Sequence, residues 1–331
     1  MAADLSQFIR NLLCIGFLSS GLYKVCATEL TSDDFYERER VQEIRLSISG
    51  LNLAKMKEAL PERKYVPATL HWRNIRLENV GVRYKGNSSS RPHQRHKRGY
   101  LIKVNEFKKG TRFLKLRRIA LDNGVQFGSL FSEPIVTDIL RNLEIPASRF
   151  NYANLFINNE YQGVYGNVER IDESFIKRHF GSKKGLLYKV HMGGPGANFS
   201  YEGNDPVQYK KGFEPKNEAA EKSFDELIDL IREIDKDDKS NYEQTLTKHL
   251  MVENFLKTTA VMLFAGCFDQ LTGWNPHNYY LYRNPKTDRW SYIPWDLDVG
   301  FADHAFGNIP VIDGWHAAWP IPGGPPKPIL E

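Results

Sequence analysis

Cysteine is scarce: Cys14, Cys26 and Cys267 are the only three in a chain of 331 residues. Their spacing matches neither a zinc motif nor a disulfide framework, which excludes thiolate-metal and disulfide-scaffold classes. An excess of one charge is also missing, since 45 Lys and Arg against 40 Asp and Glu give a net +5. Nucleic-acid binders carry a larger and more clustered excess. Here the one dense basic run is RPHQRHKR at 91–98, which reads as a solvated loop or as a few charges for phosphate, not as a nucleic-acid surface. Long apolar runs are absent, so no transmembrane anchor is expected beyond the N-terminal segment. No internal repeat is visible. What remains is an ordinary globular composition, 41% hydrophobic and 12% aromatic, in a chain long enough for one large domain or two lobes.

Residues 1–27 have the layout of an export signal: Arg10, an apolar run at 12–22, then small residues at 25–27. That predicts an extracytoplasmic or secreted protein. Asp4 and the thin basic start fit the other reading, a cytoplasmic N-terminal helix.

Alternating segments at 43–49, 68–72, 75–84, 100–104 and 113–121 predict an antiparallel sheet. A helix is expected at 51–60, stopped by Pro61, and another from Ser132 as N-cap to Pro146. Strands at 152–157 and 161–168 flank Asn158-Asn159-Glu160, a hairpin signal. Residues 192–216 lack periodicity and read as a flexible loop between a sheet-rich part, 28–191, and a helical part, 217–331. In the latter, Ser240 and Glu243 form a capping-box pattern opening a helix through Ala265.

Two stretches carry chemistry. Gly86, Asn87, Ser88 and Ser89 follow a strand and form a candidate phosphate cradle of free backbone N–H groups. Residues 267–303 hold a β-hairpin, its strands at 279–283 and 290–295 separated by Asn-Pro-Lys-Thr-Asp. Asp269 and Asn278 stand at its entry, Asp296 and Asp298 at its exit. A hairpin brings its ends together, and hard oxygen ligands gathered so suit Mg2+. Phosphoryl-transfer enzymes use such a set, with one Asp on the accepting hydroxyl and an Asn plus a second Asp on the metal.

The sequences CFDQ at 267–270, HNYYLYR at 277–283 and IPWDLD at 293–298 resemble the signature of the spore coat protein H (CotH-like) family of atypical protein kinases. LDNG at 121–124 and the block from Asn158 to Glu169 resemble it too. Gln270 departs from the family's glycine, and about four extra residues separate Asp269 from Asn278.

The resemblance implies an α+β, atypical protein-kinase-like two-lobed fold that transfers the γ-phosphate of ATP to Ser or Thr of a coat or surface protein, with Mg2+. It assigns Asp269 to orienting the hydroxyl, Asn278 and Asp296 to the metal, and Asp298 to a supporting carboxylate. The glycine loop would face the nucleotide, with Trp295 or Trp274 near its adenine. Glu169 would pair with the nucleotide-binding lysine or face the active site, its other reading being a surface carboxylate that begins a helix at 172–180. The phosphate-contacting lysine stays open among Lys103, Lys97 and Lys115, in that order. A catalytically inactive coat scaffold or adhesion protein of the same fold is the alternative.

Overall fold

The computed structural model describes residues 29–331 except 87–89, 126–128, 191, 237–238, 274, 303, 306–308, 311–326 and 331. The expected export segment and Asn87, Ser88, Ser89 and Trp274 therefore lie outside the described residues. Thr31–Glu331 forms one compact body. The body is α+β, and none of its described helices is long and apolar enough to cross a membrane.

Seven strands form a closed barrel: β1 (Gln42–Ser47), β2 (Val66–Trp72), β3 (Ile75–Lys85), β4 (Gly99–Lys103), β5 (Arg118–Asp122), β6 (Phe150–Ile157) and β7 (Glu160–Val168). Their order is β1-β2-β3-β4-β5-β7-β6. The antiparallel pairs are the expected sheet. Closure comes from a parallel pairing of β1 with β6, from Gln42↔Ala153 to Leu46↔Ile157. Such a contact between distant segments leaves no local trace in sequence, but it removes the unpaired edges an open sheet would expose. Alternation in β1 turns Ile44 and Leu46 inward. Phe35, Trp72 and Phe113 meet edge-to-face with centroids 4.9–5.5 Å apart, a geometry that suits the aromatic quadrupole.

A second sheet has the order β11-β10-β8-β9, made of β8 (Leu186–Val190), β9 (Phe213–Pro215), β10 (Tyr279–Asn284) and β11 (Arg289–Pro294). The expected hairpin is its β10–β11 pair, in register from Tyr279↔Pro294 to Asn284↔Arg289. Residues 192–216 hold a short helix, Pro206–Tyr209, and β9. Ala197, Phe199, Tyr209 and Phe213 from this stretch are buried in one core with Tyr279 and Leu281. Their spacing is irregular, which is why no period announced them.

The helix expected to run through Ala265 is two helices, Tyr242–His249 and Val252–Phe264. Leu250 bridges to Trp290, and the Met251 N–H donates to the Trp290 carbonyl at 2.8 Å, so sheet pairing breaks the helix. The Ser132–Asn142 helix begins with Ser132 inside its first turn and Phe131 as its N-cap.

Candidate active site

The β10–β11 hairpin sets the first half of the site. One step beyond its last pair, the Trp295 N–H donates to the Asn278 carbonyl at 2.8 Å. Asn278 and Asp296 then both take left-handed backbone, φ 56° and 63°, turning the chain out of the sheet at the same place. Asn and Asp tolerate this conformation better than other non-glycine residues, and such strain concentrates at functional sites. Asn278 Nδ2 donates to Asp269 Oδ2 and to the Asp269 carbonyl, both at 3.1 Å. His277 Nε2 lies 3.2 Å from Asp269 Oδ1, and its Nδ1 is held by the Asn275 carbonyl at 2.5 Å. Gln270, the departure from the family pattern, is fully buried and donates to the Trp295 carbonyl at 2.7 Å. That bond ties the Asp269 loop to the hairpin exit, where Asp296 begins.

The barrel supplies the second half. Lys85 ends β3 and Asp122 ends β5, with Gly99 of β4 opposite Lys85 and Gly166 of β7 opposite Asp122. Both are glycines for lack of space. A Cβ on Gly99 would meet the Leu121 carbonyl at 3.1 Å and Lys85 Cβ at 3.5 Å; one on Gly166 would meet the Phe150 ring at 2.9 Å. With Gly99 bare, the Lys85 ammonium reaches across the row and pairs with the Asp122 carboxylate.

The two halves meet electrostatically. Burial works against the Lys85 charge, but Asp122, Asp296 and Glu133 outweigh it and hold the ammonium above its usual range. Burial likewise pushes Asp122 up, and Lys85 reverses the shift and keeps it ionised. Glu133, in the first turn of the Ser132–Asn142 helix, is buried and pushed well above the usual carboxylate range, first by desolvation and then by Asp122, Asp296 and Asp298. Asp298 is raised the same way, by burial and then by Asp296 and Asp122. Its neighbours Leu297 and Val299 pack with Val136 and Leu140 of that helix, which fixes the approach. Asp269 is raised by burial and by Asp296, against the pull of His277 and Asn278. Lys189 of β8 is brought down to about 7 by burial and then Arg170, with Asp296 opposing. Like charges in a low-dielectric setting shift one another in this manner, and such clusters are common at functional sites.

Asp269, Asn278, Asp296 and Asp298 are thus brought together. Gly86 adjoins them as the residue after Lys85, its carbonyl taken by Arg63 Nη1 at 2.7 Å. Lys97 lies nearby, donating to the Val164 carbonyl at 2.5 Å, with its ammonium 4.4 Å from the Tyr165 ring. Lys103 is elsewhere, four residues down the sheet from Gly99 and paired with Glu106 at 2.5 Å. Among the described residues Glu169 pairs with no lysine: its buried carboxylate is gripped by Arg149 Nη2 at 2.7 Å and by Arg178. Trp295 is a core residue, 3% exposed, packed edge-on to Tyr280 and under the Arg170 guanidinium at 4.5 Å. Sequence reading overlooked Lys85, Asp122 and Glu133. The signal lies in Lys85 itself, the last strand residue before the glycine loop.

Among the described residues no three Asp, Glu, His or Cys side chains form a ready metal cage. Magnesium does not ask for one, since it keeps several waters and takes one or two carboxylates beside phosphate oxygens. The donor chemistry fits it: hard oxygens at the hairpin base, and half-buried carboxylates whose mutual repulsion a divalent cation would offset.

The sequence matches the family model described as CotH kinase protein over residues 82–319, a span that includes every residue of this cluster. The chain belongs to the CotH kinase protein family. A relative is the inner spore coat protein H of Bacillus subtilis (strain 168), 26% identical over 268 residues that cover 80% of this chain and 70% of that protein. The barrel end and hairpin base described above are where this CotH chain gathers Lys85, Asp122, Glu133, Asp296 and Asp298.

Proposed function

We propose that this chain is a protein kinase that transfers the γ-phosphate of ATP to Ser or Thr, with Mg2+ held by Asn278 and Asp296 and supported by Asp298. The barrel and the hairpin-bearing half act as its two lobes. The observation that carries the reading is one half-buried lysine, Lys85, paired to Asp122 and set among carboxylates contributed by three separate chain segments. Protein kinases place a strand lysine, paired to a carboxylate, against the nucleotide phosphates. Lys85 and Asp122 fill these roles in place of Lys103 or Lys97. Bound Mg2+ supplies charge neutralisation at the transferring phosphoryl group. Asp269, oriented by Asn278 and His277, accepts the hydrogen bond of the acceptor hydroxyl. Its raised proton affinity suits a group that takes the hydroxyl proton late in transfer.

A second reading is favoured by the relative's name: a coat component that keeps the fold without turnover. The location follows the same way, an extracytoplasmic or coat setting. Transfer of label from γ-labelled ATP to a generic Ser/Thr acceptor, with and without Mg2+, separates the two. Mg2+-dependent labelling supports the kinase, and its absence in folded protein supports the scaffold.

A further inference from the structure

Away from the carboxylate cluster, a half-open cavity of about 430 Å³ lies between the turn at 113–116 and the Glu173–Phe180 helix. We propose that it binds a protein segment carrying phosphoserine or phosphothreonine. The proposal names a partner class for the reaction above and rests on that reading only for the origin of the phosphate.

Seven cationic side chains line the cavity, among them Arg112, Lys115, Arg117, Lys177 and Lys183. Arg117 and Lys183 share one carboxylate, Glu173, at 3.1 and 3.0 Å. Arg112, Lys115 and Lys177 have no ion-pair partner among the described residues. The other acid on the wall, Glu169, is already neutralised by Arg149 and Arg178. The wall therefore carries several positive charges that the protein itself does not balance. A phosphomonoester, with near two negative charges and three acceptor oxygens, complements such a wall better than a carboxylate does.

The turn that presents Lys115 is held against its own preference. Phe113 and Leu116 exchange N–H···O bonds of 3.1 and 2.7 Å, so Leu114 and Lys115 are the two central residues of a tight hairpin turn. Both have positive φ, 51° and 68°, where Asn-Gly is the usual choice. Phe113, packed 4.9 Å from Phe35, and buried Leu116 anchor its feet. The Ser174 hydroxyl donates to the Lys115 carbonyl at 3.4 Å and ties turn to helix. A strained backbone that fixes an unpaired lysine at a cavity wall is the pattern of a binding residue. A nucleic acid is the weaker occupant, because the cavity is compact and a net charge of +5 is small for a nucleic-acid surface.

The test is fluorescence anisotropy of the whole chain, without ATP, against two synthetic peptides identical except for phosphorylation of one central serine. The phosphopeptide should bind at least about tenfold more tightly, as charge-assisted bonds to phosphate require. That advantage should vanish in the double variant Lys115→Glu/Lys177→Glu, two exposed and unpaired positions whose reversal leaves the thermal melt unchanged. Equal affinity for both peptides, an undiminished advantage in the double variant, or tighter binding of a single-stranded oligonucleotide would overturn the proposal. Because no turnover is needed, phosphopeptide binding without kinase activity leaves this pocket standing and removes only the kinase reading. Kinase activity without phosphopeptide preference does the reverse.

Discussion

The ammonium of Lys85 pairs with the carboxylate of Asp122 across a strand whose intervening residue, Gly99, has no side chain. The pair joins the barrel to the carboxylates of the hairpin, and Asp296 acts on Lys85 as well.

Replacing Lys85 by Met should lower phosphate transfer by about a hundredfold or more, the loss usual for a preorganised charge at a phosphoryl group. Lys103→Met should change transfer less than about threefold, since its partner is Glu106 on the barrel wall. Steady-state rates of the two variants side by side check this.

Asp298→Asn should raise the melting temperature of metal-free protein, by about 1 kcal/mol of stability, while lowering activity. The half-buried Asp298 carboxyl is destabilised by its own desolvation and by Asp296, and an amide of the same shape removes that repulsion. A calorimetric melt in chelator decides it; a lower melting temperature would mean that Asp298 is held by favourable contacts.

Glu169→Ala should cost about 3 kcal/mol, because the buried Arg149 guanidinium would keep only the exposed Asp33 as its ion-pair partner. Activity per folded molecule should stay near that of the parent chain. Denaturant unfolding, with transfer rates corrected for folded fraction, tests both halves.

Acid should destabilise the protein through His179. Burial first, then Arg178 and Arg141, lower this imidazole to about 3 from an ordinary 6.5. The folded state thus binds fewer protons than the unfolded state between those values, so stability falls as pH drops below 6.5 and the loss continues toward 3. His179 packs on Phe175 at 4.3 Å, and His179→Leu should keep that contact while flattening the slope. Melting temperature against pH for both proteins is the measurement.

The strands of the barrel and the hairpin were legible in sequence because alternation and turn residues are local signals. The hairpin-base group was legible for the same reason: Asn278 and Asp296 lie next to strand ends, and register alone brings them together. Lys85 and Asp122 were not, since their meeting depends on the β3-β4-β5 order and on Gly99 between them. The surroundings of Glu169 were not legible, because the match at 158–169 says nothing of Arg149, just before β6, or of Arg178 in the Glu173–Phe180 helix. Gln270 looked like erosion of a motif. In the fold it is the buried tie between the Asp269 loop and the hairpin exit.

The most direct test of the kinase account is label transfer from γ-labelled ATP to the chain and to a generic Ser/Thr acceptor, with Mg2+ present or chelated. The parent, Asp296→Asn and Lys85→Met are run in parallel. The account predicts Mg2+-dependent labelling by the parent and loss of about a hundredfold or more in each variant. Equal labelling by all three proteins, or none by folded parent chain, would contradict it.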